Sequence, residues 1–366
     1  MRGHVADRHR QVLEVLRDRG SVRVSELAAE LGISPVTLRR DVEVLAAEGR
    51  LRRLHGSVQH VDGTAVTAPA TPRAGQRALT VGMVVPTTDY YYADVVQGAR
   101  AAVQAQGARL VVGLSRYLPD EDAVQAGQLV RSGVDGLLVT PWWRTGAPVG
   151  DEGSWVARLP VPTVLVERTA PAGHPAAGLD RVRTDHAQGA AQALAHLARL
   201  GHRRIALALQ SSPTAHRMAD GCASAAGPLG LESLPPLEHR PQESRTERLD
   251  RTLRHLLDAL HEHGATAALV HTDADAATLV PRLQHTGVRV PEDLAVVAYD
   301  DELAGLTDLP LTSMALPKRA LGTRAAELLL ARVAATASGA DLPVQHVDLL
   351  PRLSVRASCG ASARAF

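Results

Sequence analysis

Lysine is almost missing from this chain: Lys318 is the only one in 366 residues, and it follows Pro317. A G-x-x-x-x-G-K-[ST] loop needs a lysine on the phosphates, so P-loop nucleotide chemistry is excluded. Cysteine is equally scarce. Cys222 and Cys359 lack C-x-x-C spacing and cannot build a disulfide framework or a four-thiolate zinc site, which points to a reducing compartment and no metal. No apolar run approaches the roughly 18 residues of a membrane span. The opening MRGHVADRHRQVLEVLRDRG interleaves charges with apolar residues where an export signal needs an apolar stretch. A cytoplasmic, unanchored chain is expected. G-x-G-x-x-G after a strand, G-x-S-x-G and H-E-x-x-H are all lacking, so no cofactor and no catalytic residue is assigned. Charge of one sign is lacking too: 40 Lys and Arg stand against 39 Asp and Glu, and bulk charge names no partner.

What is present is an ordinary globular composition, with 45% hydrophobic residues over a length that fits two or three compact units. Residues 61–78, VDGTAVTAPATPRAGQRA, are small, Pro- and Gly-containing and aperiodic, and read as a linker between a unit at 1–60 and a long remainder at 79–366. In the remainder, short apolar runs recur at Val81–Val85, Leu110–Leu114, Gly136–Thr140, Thr163–Val166, Ile205–Leu209, Ala267–Val270 and Leu294–Tyr299. Stretches with helical spacing, such as Asp94–Gln106 and Gln188–Leu200, separate them. Alternating strand and helix predicts an α/β fold with parallel sheets. About 290 residues exceed one doubly wound sheet, so two lobes with a cleft are expected, the chain crossing near 166–168, 299–301 and 315–318.

In the first sixty residues, Val12, Leu13, Val15 and Leu16 share a helix face that Gly20 ends, and a second short helix runs from about Ser25 to Gly32. Ser34-Pro35 is a favoured N-cap and first-turn pair. The helix it opens, through Ala47, turns Leu38, Val42 and Leu45 inward. Two helices around a tight turn make a helix-turn-helix. Arg39 and Arg40 near the start of the last helix suit guanine edges or phosphates; Ser34 and Thr37 suit phosphates; Arg52, Arg53 and His55 lie in a basic hairpin suited to a wing along the DNA backbone. The competing reading is a protein-binding module with a solvated arginine face.

Arg8, Val12 and Leu16, the run Ser34-Pro35-Val36-Thr37-Leu38-Arg39-Arg40-Asp41-Val42 and the segment Arg53-Leu54-His55-Gly56 resemble the DeoR-type winged helix-turn-helix over most of residues 8–58. The resemblance implies a recognition helix carrying Ser34, Thr37, Arg39 and Arg40 to DNA. Ser57 departs from the family, where a second glycine usually follows His-Gly.

Aromatic residues are few, 5 Tyr, 3 Trp and 1 Phe, and five of them cluster behind strands: Tyr90-Tyr91-Tyr92 and Trp142-Trp143. Ligands of open α/β sheets bind beyond the carboxyl ends of strands. Rings beside Asp and Arg are what a sugar-like ligand needs, since rings stack on C–H faces while charged groups bond hydroxyls. Packing is the alternative for both clusters. Glu167-Arg168, Thr272-Asp273 and Asp300-Asp301 also end strands, and Asp185 and Arg217 precede or open helices, where an Asp is often a cap.

The runs Leu200-Gly201-His202-Arg203-Arg204-Ile205-Ala206, Gly287-Val288-Arg289-Val290-Pro291-Glu292-Asp293-Leu294, Val296-Val297-Ala298-Tyr299-Asp300-Asp301 and Pro310-Leu311-Thr312-Ser313 resemble the LacI/GalR-type sensor domain, which has a periplasmic-binding-protein-like fold. The resemblance spans most of 79–355. It implies effector-facing positions at Tyr91, Tyr92, Arg168, Asp185, Arg217, Asp273 and Asp300, to which the strand-end argument adds Trp142 and Trp143. Thr272, where Asn commonly stands, and the tryptophan pair depart from the pattern, and the LacI headpiece and hinge helix are replaced by the DeoR-type module.

His261-Glu262-His263 is read as solvated surface, because i and i+2 on a helix point apart. Asp273 with Asp275, or Asp300 with Asp301, would be the carboxylate pairs of a glycoside hydrolase. The expected function is instead a DNA-binding repressor, a homodimer on operator DNA, released by a small carbohydrate-like effector bound between two lobes. The alternative is a sugar- or nucleoside-binding protein or a sugar-processing enzyme without operator binding.

Overall fold

The computed structural model describes residues 78–118, 120–143, 146–232, 234–235, 237 and 243–361, together with residues 21–31, 51–54, 57–60 and the helical positions 11, 12, 15, 16, 38, 42 and 45 of the N-terminal part. The chain divides into two compact units, Met1–Ala70 and Thr71–Phe366.

In the first unit, Val12, Leu16, Val22, Leu27, Ala28, Leu38, Val42 and Leu45 form one buried cluster. The i, i+4, i+7 spacing of the last three is what brings them to a common face. Strand β1 (Ser21–Arg23) leads into helix α1 (Val24–Glu30), and the basic segment forms β2 (Leu51–Leu54), paired antiparallel with β3 (Ser57–His60), which also pairs with β1. Arg52 and Arg53 therefore lie on a strand of a three-stranded sheet. Ser34, Thr37, Arg39, Arg40 and His55 lie outside the described residues.

The second unit holds two sheets. The first contains β4 (Thr80–Val85), β5 (Arg109–Leu114), β6 (Gly136–Val139), β7 (Thr163–Val166), β8 (Asp180–Thr184) and β13 (His346–Leu349), all parallel, in the order β13-β8-β7-β6-β4-β5. The second contains β9 (Ile205–Leu209), β10 (Ala267–His271), β11 (Ala295–Asp300), β12 (Thr312–Ala315) and the antiparallel β14 (Arg352–Ser354), in the order β14-β12-β11-β10-β9. The central strands are buried on both faces, which is why they read as continuous apolar runs.

Helices α2 (Tyr91–Ala105) and α3 (Glu121–Arg131) cover the first sheet; α4 (His186–Arg199), α5 (Ala215–Ala226), α6 (Arg245–His261) and α7 (Asp273–His285) cover the second. Helix α8 (Lys318–Ser338) returns to the first sheet and packs on α2. That contact is very close: a Cβ on Gly322 would sit 1.9 Å from Val95 O, and one on Gly98 2.0 Å from Arg319 O.

Two of the expected crossings are corrected by this topology. At 166–168 the chain stays in the first sheet, because β7 pairs with β8. At 299–301 it stays in the second, because β11 pairs with β12. It passes between the sheets after β8, between β12 and α8 at 315–318, and between β13 and β14. Strand β8 hides from a search for apolar runs because it alternates, DRVRT, with Arg181 and Arg183 on its less buried face.

Candidate functional site

The carboxyl ends of the two sheets face each other across a cavity of about 180 Å³. That is below the ~300–1,000 Å³ of drug-sized sites and fits one small ligand. The first lobe contributes Tyr91, Tyr92, Tyr117, Glu167 and Arg168; the second contributes His186, Ser212, Pro213, Thr214, His271 and Asp300.

The aromatic wall is held from below. Tyr91 O–H donates to Glu167 Oε1 and lies 3.2 Å from Thr184 Oγ1, while its ring meets Tyr92 edge-on at 5.2 Å. Glu167 also accepts from Thr184 Oγ1 at 2.6 Å and from Thr184 N at 3.2 Å, and His186 Nε2 stands 3.4 Å from its other oxygen. Burial opposes the Glu167 charge, but His186, Thr184 and Tyr91 outweigh it and hold the carboxyl below its ordinary value. Glu167 is thus the anchor of Tyr91.

Arg168 is 2% exposed, donating Nε–H to Pro141 O at 2.7 Å and Nη1–H to Glu167 O at 3.0 Å. Arg168 also donates to the Tyr92 hydroxyl, so at most two of its five N–H donors are left for a ligand. Facing it, Asp300 is pushed up to about 6 by burial, with Asp273 adding to the rise and Lys318 opposing it. His271 is pushed down to about 3 by burial, so it is neutral, and its buried Nδ1 has no hydrogen-bond partner. Rings, a fixed guanidinium, a carboxyl group and a neutral imidazole together match a ligand with apolar C–H faces and several hydroxyls.

Tyr90 spans the lobes. Its O–H donates to Asp273 Oδ1 at 2.6 Å and approaches Asp300 Oδ2 at 3.3 Å, and Lys318 Nζ lies 5.6 Å from its ring centre and 5.4 Å from that of Tyr91. Lys318 Nζ donates to Asp300 O at 2.8 Å and pairs with Glu302. The single lysine therefore ties the 315–318 crossing to both walls. Tyr90 (φ 50°) and Asp300 (φ 98°) both occupy positive φ, as does Glu167 (φ 58°), and such outliers gather at ligand clamps.

Of the nine expected ligand positions, Tyr91, Tyr92, Arg168 and Asp300 meet in the cavity. Trp142 stands behind it, its ring edge-on to Tyr117 at 5.2 Å. Trp143 is corrected to packing: it is 1% exposed, in a cluster with Val156, Leu165 and Ala176, under the turn at Gly153. Asp185 caps α4 by accepting from Gln188 N at 3.0 Å. Asp273 is fully buried, its second oxygen taken by the amides of Leu303 and Ala304 at 2.5 and 3.0 Å. Arg217 lies on α5 and does not line the cavity. Tyr117, His186, His271 and the Ser212–Thr214 turn were missed; Tyr117, His271 and the turn follow strand ends or end one, so the rule that found Arg168 reaches them too.

Neither suggested carboxylate pair is free for hydrolysis. Asp301 is held by Arg356 at 2.6 and 3.2 Å, and Asp275 lies 3.5 Å from Arg248 and 3.7 Å from Arg245. No helix among the described residues is long and apolar enough to cross a membrane.

Residues 8–64 match a DeoR-like helix-turn-helix domain, and residues 194–359 match a periplasmic binding protein-like domain. The chain is 28% identical over 322 residues to the arabinose metabolism transcriptional repressor of Geobacillus stearothermophilus, covering 83% of this chain and 82% of that protein. It is 24% identical over 282 residues to the HTH-type transcriptional repressor CytR of Escherichia coli K12, covering 76% and 80%. Among solved structures it resembles a transcriptional regulator CelR–cellobiose complex, with 25% identity and a TM-score of 0.61 over 89% of this chain and 91% of that one. The chain thus joins a segment that matches a DeoR-like helix-turn-helix domain to a two-sheet unit whose residues 194–359 match a periplasmic binding protein-like domain.

Proposed function

We propose that this protein is a sequence-specific transcriptional repressor that binds operator DNA through residues 1–60 and a small carbohydrate-like effector between the lobes of residues 79–366, with 61–78 as the linker. The observation that carries the reading is the interlobe cavity, ring-walled and lined by Arg168, His271 and Asp300, in a chain whose residues 8–64 match a DNA-binding module. A relative named for arabinose metabolism and a neighbour solved with cellobiose support a sugar as the ligand class.

In this reading Ser34, Thr37, Arg39, Arg40, Arg52, Arg53 and His55 meet DNA, while Tyr91, Tyr92, Arg168 and Asp300 meet the effector with Tyr117 and His271. The DeoR-type module serves a homodimer, because symmetric half-sites take two headpieces. The protein works in the cytoplasm, where the operator is, and turns nothing over. The lobes hold the effector, and closure around it changes the DNA-competent arrangement.

The test is fluorescence anisotropy of the full chain on its own upstream DNA, at fixed salt, with L-arabinose, cellobiose, D-ribose and nucleosides. Specific binding released by one compound is expected. Absence of specific DNA binding, with a sugar bound or consumed, would overturn the reading in favour of a binding protein or an enzyme.

A further inference from the structure

The interlobe cavity ends at a wall that is itself hydrogen-bonded. Asp300, the last residue of β11, lines the cavity of about 180 Å³ and also a second, polar cavity of about 280 Å³ that Glu302, Lys318 and Arg319 border. This wall is fixed from both lobes. Tyr90 O–H, bonded to Asp273 Oδ1 at 2.6 Å, stands 3.3 Å from Asp300 Oδ2, and Lys318 Nζ donates to Asp300 O at 2.8 Å. The same ammonium lies 5.6 Å from the ring centre of Tyr90 and 5.4 Å from that of Tyr91, which lines the first cavity. Carboxyl group, ammonium and phenol ring thus make one partition where the two cavities meet.

Size and charge on the effector side of that partition narrow the ligand. A volume of 180 Å³ is that of about six waters in the liquid, at ~30 Å³ each. One furanose or pyranose ring with its hydroxyls displaces water on that scale, whereas the two ring systems of a disaccharide or a nucleoside need more. The charged groups of the lining are Arg168 against Glu167 and Asp300. Arg168 is already bonded to Pro141 O, to Glu167 O and to the Tyr92 hydroxyl, so it cannot cradle a phosphate. An anionic ligand would be buried against two carboxyl groups, and like charges set side by side are costly. The cations of the second cavity are committed too, Lys318 to Glu302 and Arg319 to Asp94 at 3.3 Å. What the lining offers is suited to hydroxyls: the remaining Arg168 N–H, the Asp300 carboxyl group, and His271 Nδ1, which is buried and unpartnered.

We propose that Asp300, pinned by Tyr90 and Lys318, is the specificity-determining wall of this site and restricts the effector to an uncharged sugar of a single ring. The inference rests on the reading of the cavity as the effector site and names the class which that site accepts. A second ring meets the partition, and pushing the partition aside breaks the Tyr90 bond to Asp273 and leaves buried groups unpaired. The wall therefore discriminates by what it makes costly for the longer ligand.

The experiment is calorimetric titration of the full chain, at one pH and salt, with D-ribose, L-arabinose, D-xylose, D-glucose and D-galactose, and then with cellobiose, adenosine and D-glucose 6-phosphate. One single-ring sugar is expected to bind at least about tenfold more tightly than every compound of the second set. Tyr90→Ala removes both the ring and the pin on Asp300, and should bind cellobiose at least about tenfold more tightly than the wild type does, a gain that misfolding does not produce. Tyr90→Leu gives the same reading if the alanine variant does not fold. Cellobiose, adenosine or D-glucose 6-phosphate binding the wild type as tightly as the best single-ring sugar overturns the inference; if that compound also releases operator DNA, the repressor reading stands without it. Folded Tyr90 variants that reject cellobiose as the wild type does overturn the wall. Binding by none of these compounds, with operator DNA bound throughout, overturns the inference together with the sugar-effector reading it rests on.

Discussion

Tyr90 shows how much can rest on one hydroxyl. It is the direct side-chain bond from the first lobe to Asp273 and Asp300 of the second, and Asp273 is fully buried. Tyr90→Phe keeps the ring over Lys318 but leaves Asp273 Oδ1 without its donor, so urea unfolding should show a loss of about 1–3 kcal/mol. No loss would mean that the bond contributes nothing. Asp300 makes a second prediction. Its folded value of about 6 lies above its ordinary 3.8, so the folded state holds the proton longer. Stability from this group is therefore complete below about pH 4 and lost as pH rises toward 6, by on the order of 2–3 kcal/mol. His271, pushed from 6.5 to about 3, acts in the opposite sense, losing stability as pH falls below 6.5. Comparing wild type with Asp300→Asn cancels the histidine, and the difference in unfolding free energy should change between pH 4 and 6; a flat difference would remove Asp300 as its source. At this scale strand ends and the family resemblance pointed to Tyr91, Tyr92, Arg168 and Asp300, and these line one cavity because strand ends in parallel sheets converge. The sequence could not separate them from Asp273 or Asp185, since an Asp that caps or ties a loop and one that faces a cavity occupy the same kind of position.

At the scale of elements, strands with unbroken apolar runs announce themselves and strands of mixed composition do not, whether they lie at an edge or, like β8, inside the sheet. Strands β4, β6, β7, β10 and β11 are buried along their length and carry apolar runs, whereas β8, β13 and β14 are partly exposed and mixed in composition. Trp142-Trp143 belongs here too: after β6 one ring turns to Tyr117 and the other into a small core, a division set by the turn rather than by the residue type. The closest element contact, α2 on α8, gives a third prediction. Gly322→Ala would place a Cβ 1.9 Å from Val95 O, which only a shift of one helix relieves. Thermal or urea unfolding should show destabilisation of about 1–3 kcal/mol or more. An alanine tolerated without loss would mean that the helices are not so close. Helix α6 is set more locally: at its start the side chains of Ser244 and Glu247 close a capping box.

For the whole molecule the consequence is linkage. If effector and DNA favour different arrangements, each weakens the other by the same factor, commonly 1–3 kcal/mol or about 5–150-fold. The effector that releases the operator should therefore bind more weakly, by that factor, when operator DNA is present. Arg168→Ala should lose effector response with DNA affinity retained, and Arg40→Ala the reverse; loss of both activities in either folded variant would contradict two separable modules. Much of this plan was open to reading in one dimension. Helical spacing around Leu38, Val42 and Leu45, apolar runs at regular intervals and rings behind strands are local patterns, and burial against a neighbour imposes them on the sequence wherever the neighbour lies. Which strand crosses to which sheet, which of Arg168 and Arg217 enters the cavity, and that Tyr90 bonds a carboxylate 183 positions away were decided only in three dimensions. Such pairings depend on where distant segments come to rest, and distance through space leaves no period in the chain.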